Sequence, residues 1–93
     1  MDLAGTVKPV ANGGHPVDGR DGWAVNDTVA TYRPAADGWC ARVRAVRIAG
    51  HSYERLHIAL IDPWGVARHT MFASSWGEAI RVAEGHVRGL NTA

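Results

Sequence analysis

Three arginines in the run Trp39-Cys40-Ala41-Arg42-Val43-Arg44-Ala45-Val46-Arg47 are the side chains whose type and spacing most suggest chemistry. A guanidinium fork binds phosphate, carboxylate or a base edge through paired hydrogen bonds, and a two-residue spacing puts successive forks on one side of a strand. His57 and His69 come next. Imidazoles on adjacent strands could chelate a metal, with Met71 or His51 as neighbours, but zinc wants three or four protein ligands and no carboxylate stands at a matching position. Neither a metal nor another cofactor is therefore expected. Cys40 is a lone thiol with Arg42 two residues on, which would favour a thiolate, yet no histidine is fixed beside it as a base. A small, partly buried residue is the simpler reading of it. Trp64 would stand at a hairpin tip, where a tryptophan either anchors a partner or folds back over the sheet end. The chain has no Ser–His–Asp signature and no paired carboxylates on a common face. Gly13-Gly14 lacks the flanking strand and helix of a phosphate loop and reads as linker. A non-enzymatic binding role follows as the expectation.

The elements that must hold these side chains are legible from periodicity and turn chemistry. Residues 28–33 are β-prone and stopped by Pro34. A second strand over residues 39–49 alternates Trp39, Ala41 and Val43 with Cys40, Arg42 and Arg44. Its phase changes after Ala45, and a bulge there would keep Arg42, Arg44 and Arg47 all pointing outward. Gly50-His51-Ser52 reads as the next turn, followed by a strand in which Leu56, Ile58 and Leu60 alternate with Arg55, His57 and Ala59. Asp62-Pro63-Trp64-Gly65 suits a type I turn with Gly65 in the left-handed conformation, pairing Asp62 with Val66. Carried along the hairpin, that register sets Leu56 opposite Phe72 and Ile58 opposite Thr70. His57 then faces Met71 on the other side, with His69 diagonal to it.

Ser75-Trp76-Gly77-Glu78 has the form of a capping box, and Trp76, Ala79, Ile80, Ala83, Val87 and Leu90 make one apolar helical stripe. Arg81, Glu84 and Arg88 lie off that stripe as candidates for helix-surface ion pairs. Gly85 would be tolerable where the helix presses on the sheet, and Gly89 suits a C-terminal stop. The fold class is thus α+β: a small antiparallel sheet of three to four strands (β-β-β-β-α), one face covered by a C-terminal helix. The other face would carry Arg42, Arg44, His57 and His69, with Arg47 at its margin.

Composition bounds the rest. Val, Leu, Ile and Phe supply only 19 of 93 residues, so the core is small and leans on alanine and tryptophan. A dimer or a bound partner would help such a chain. Residues 1–22, rich in glycine, read as a flexible arm, and residues 23–93 as the single domain. No apolar run reaches the roughly 18 residues of a membrane span, and no signal-peptide pattern opens the chain, so a cytoplasmic setting without membrane attachment is expected. One cysteine leaves no internal disulfide framework. The net charge of +1 hides an asymmetry: residues 38–93 hold seven arginines against four acids, a net +3, and residues 1–37 a net −2. That excess is modest for a polyanion binder.

Residues 39–87 resemble the small sheet-plus-helix DNA-binding domains of phage-integrase arm-binding regions and plant ethylene-response regulators. The likeness rests on the Trp-led basic strand Trp39-Cys40-Ala41-Arg42-Val43-Arg44, on Met71-Phe72 and on Glu78-Ala79-Ile80 with Ala83. It implies a sheet in the major groove with Arg42, Arg44 and Arg47 meeting bases. The chain departs from that pattern in its few lysines, its strand at 28–33 and its acidic N-terminal third. Two function classes remain in view. One is nucleic-acid binding through the open basic face. The other is a protein-interaction module or homodimer using that face, a strand edge or Trp64. Small accessory regulators of bacteria or phages fit either description.

Overall fold

The computed structural model describes residues 15–47, 50 and 54–92. Residues 1–14 of the expected arm, and His51 and Ser52 of the expected turn, lie outside them. Five strands are found among the described residues: β1 (Trp23–Asn26), β2 (Val29–Tyr32), β3 (Cys40–Arg47), β4 (Glu54–Ile61) and β5 (Ala67–Ala73). They pair antiparallel in chain order, so β3 is the central strand, and helix α1 (Trp76–Thr92) packs across the sheet. The architecture is the expected α+β arrangement with one strand more, β1. Its hairpin with β2 turns through Asp27-Thr28, with Asp27 at φ 59°, a left-handed conformation that aspartate tolerates. A turn without glycine gives little warning of itself.

Alternation explains the core. Tyr32, Ala41, Val43, Leu56, Ile58, Leu60 and Ala73 point to the helix and are buried against Ala79, Ala83 and Val87. Alanine on both surfaces lets helix and sheet approach closely, and Trp23, Trp39 and Trp76 pack around the rim. Full burial of a side chain such as Ile58 contributes about 1.5–3 kcal/mol. The helix starts as its sequence implies: the Glu78 amide donates to Ser75 Oγ (3.2 Å). The Glu78 carboxylate accepts from the Ser74 amide (2.9 Å), one residue earlier than the capping box places it.

The helix does not stop at Gly89. It continues to Thr92 because its last turn is anchored: Asn91 Oδ1 accepts the Trp39 amide at 2.7 Å, and Leu90 packs on the core. Gly85 is not at a close approach either. It is exposed, and an added Cβ would meet no atom within 4 Å.

Glu84 behaves differently from the surface residue expected. It is buried and gathers three donors: Trp23 Nε1 at 2.7 Å, Arg20 Nη2 at 2.9 Å and Arg88 Nη2 at 3.4 Å. Arg88 Nε in turn donates to the Tyr32 hydroxyl (3.2 Å). The N-terminal turns are drawn onto the helix by this cluster. Val17 is buried, and the His15 ring meets Trp76 edge-on at 4.6 Å. The packing therefore already includes residues 15–22, N-terminal to the boundary drawn at Trp23.

Burial pushes the Glu84 carboxyl up, but the Trp23 hydrogen bond and the charges of Arg20 and Arg88 outweigh it, leaving it below its ordinary 4.5. Asp62 and Glu78 are also held low, chiefly by the amides of Val66 and Ser74 respectively. All three bind protons more readily in the unfolded chain. Their stabilisation is full above the ordinary carboxylate range and is lost as pH falls through it towards the lower folded values.

Two outcomes follow. Glu84→Gln should cost about 1–3 kcal/mol in denaturant unfolding at neutral pH and should flatten the acid limb of the stability curve; an unchanged midpoint contradicts the role of the cluster. Gly85→Ala should stabilise by about 0.5–1 kcal/mol, since it adds helix propensity without a clash, and a lowered melting temperature contradicts the exposed placement.

Candidate nucleic-acid interface

The sheet face away from the helix is built by two regular cross-strand rows. One runs Val29–Arg44–His57–Phe72, the other Thr31–Arg42–Ala59–Thr70. Arg42 and Arg44 are exposed, and among the described residues neither stands in an ion pair, whereas Arg20, Arg47, Arg68 and Arg88 each do. With Val29, His57, Ala59, Ile61 and Ala67 they line an open groove of about 250 Å³. Ala59 and Ala67 contribute small side chains to its lining.

Arg47 does not belong to this face. The β3–β4 pairing runs without a break from Cys40↔Ile61 to Arg47↔Glu54, so there is no bulge at Ala45. Strict alternation then gives Arg47 the side of Val43, where it meets Glu54 at 3.5 Å. The phase change in the sequence has another cause: Val46 is an apolar residue, half-buried, on the open face. Arg55 shares the alternation of His57, and its charge reaches Glu78 at the helix start.

His69 also changes sides. The hairpin begins in the register expected, with the Asp62 amide donating to the Val66 carbonyl (2.9 Å) and Gly65 at φ +88°. Ile61 pairs with Ala67, but the next pair is Leu60↔His69, leaving Arg68 as an extra residue. A one-residue slip moves every following side chain of β5 to the other face. His57 therefore faces Phe72 rather than Met71, while Met71 and Ala73 turn towards the helix. His69 lines a separate groove with Leu60, Met71, His86 and Leu90. His57 and His69 are thus not brought together, and His51 lies outside the described residues.

The bulge has a visible anchor. Arg68 Nε donates to Asp62 Oδ2 at 2.7 Å, while Asp62 Oδ1 accepts the Trp64 and Val66 amides at 3.0 and 2.9 Å. Asp62 is itself buried, so its carboxylate is fully used by the turn.

Phe72 is the residue of this face that sequence reasoning missed. It is 51% exposed, and its ring meets His57 at 5.3 Å and 66°. The one signal available was that both alternations of β5 carry an apolar residue, Met71 and Phe72, which leaves the register open. Trp64 stands at the hairpin tip, 83% exposed, beside the exposed Val66. Cys40 is buried. No helix among the described residues is long and apolar enough to cross a membrane. Comparison with family models, with curated proteins and with solved structures finds no match for this chain.

Proposed function

We propose that this chain is a small non-enzymatic module that binds nucleic acid on the open face of its sheet. The observation that carries the reading is the pair Arg42 and Arg44, exposed on one face of the central strand and without ion-pair partners among the described residues. Two strand residues apart, they stand about 7 Å from each other along β3. Guanidinium groups so placed complement phosphate charge, and His57 in the same groove adds a further donor. Arg47, on the other side of the sheet, takes no part. Cys40 is buried and His57 and His69 lie on opposite faces, so neither the thiol nor that histidine pair has a part in this reading. Such a role suits the cytoplasm, where nucleic acid is within reach.

Oligonucleotide binding followed by fluorescence anisotropy tests this. Two phosphate contacts predict a fall in affinity of roughly sevenfold to twelvefold between about 50 and 200 mM salt. Arg42→Ala and Arg44→Ala should each weaken binding at low salt and reduce the salt slope, and Arg47→Ala should do so far less. A curve indifferent to salt, or no binding at about 50 mM, contradicts the proposal.

A second reading is favoured by one observation, the 83% exposure of Trp64 beside Val66. A protein partner or a second copy of the chain would bury that tip. On this reading sedimentation shows association that Trp64→Ala weakens. A monomer at every concentration contradicts the homodimer.

A further inference from the structure

Phe72 is the single phenylalanine of the chain. A core poor in large apolar side chains would gain from it, yet β5 sends Met71 and Ala73 inward and leaves the phenyl ring half in water. It stands at one end of the row Arg44–His57–Phe72, two strands from Arg44 and so about 10 Å away across the sheet. The His57 ring braces it at 5.3 Å without covering it. A solvent-facing aromatic on the same face as guanidinium groups that stand in no ion pair among the described residues combines the two features that single strands need: a stacking platform and a cationic track.

Sheet width argues in the same direction. Five strands span four spacings, about 19 Å, whereas a major groove about 12 Å wide admits a helix or a two-stranded ribbon. Arg42 and Arg44 lie on the central strand, flanked by two strands on either side, so base edges inside a groove would be held away from them. An unpaired strand can be laid flat across the face, and only unpaired bases offer their flat sides to an aromatic ring.

We infer that the ligand of this face is single-stranded nucleic acid, one base stacking on Phe72 while Arg42 and Arg44 hold the flanking phosphates; this rests on the nucleic-acid reading above. Stacking is indifferent to base identity, so weak sequence preference goes with it. The same chemistry serves DNA and RNA.

The test is anisotropy with labelled oligothymidylate and oligouridylate of about twelve nucleotides, against a duplex of equal length. Single strands of either sugar should bind at least tenfold more tightly than the duplex. Phe72→Ala and Phe72→Leu should each weaken single-strand binding roughly tenfold and leave duplex binding unchanged, while Phe72→Tyr should retain it. Thermal unfolding of each variant shows that the fold persists. Equal affinity for duplex and single strand, or full binding by Phe72→Leu, overturns the inference. Salt-dependent binding that persists in either case leaves the broader reading standing; no binding to any of the three removes both.

Discussion

A buried carboxylate at the β4–β5 turn decides which side chains reach which side of the sheet. Asp62 accepts the amides of Trp64 and Val66 and holds the Arg68 guanidinium, fastening a turn and a bulge at once. Because side chains alternate with a period of two, the extra residue at Arg68 exchanges the faces of everything that follows it in β5. Met71 and Ala73 go under the helix, and Phe72 goes out beside His57. Without that slip, the face bearing Arg42 and Arg44 would carry Met71, and the phenyl ring would press on the helix. The composition of the open face is thus a consequence of turn chemistry earlier in the hairpin.

The opposite side of the sheet is secured by a second carboxylate. Glu84 ties the N-terminal turns through Arg20, β1 through Trp23, and the helix through Arg88. Its partners satisfy a charge that would otherwise be costly to bury. The arrangement suits a chain with a small core, since polar links to the rim add to the limited apolar contact around Ile58, Val43 and Val87. It also leaves the open face undisturbed, because none of these groups lies on it.

Much of this was legible from the residues alone. The hairpin at Asp62-Pro63-Trp64-Gly65, the helix start at Ser75, the inward alternation of Leu56, Ile58 and Leu60, and the outward placement of Arg42, Arg44 and His57 all follow from short-range pattern. What escaped depends on a residue count or on a distant partner. Arg68 carries no mark of a bulge in the sequence, and a hairpin without one exchanges the faces of Phe72 and His69. Outward polarity at Arg47 would need a bulge at Ala45, whereas the chain keeps its register and accepts Val46 facing out. Glu84 resembles any surface glutamate paired along a helix with Arg88, because its other two donors, Arg20 and Trp23, come from more than sixty positions earlier in the chain.

The most direct test of this account is an amide chemical-shift titration with a short single-stranded oligonucleotide at low salt. Perturbations concentrated on the adjoining rows Arg44–His57–Phe72 and Arg42–Ala59–Thr70 are the predicted result. Perturbations confined to the helix, to the Trp64 tip or to the Arg47 side of the sheet would contradict it.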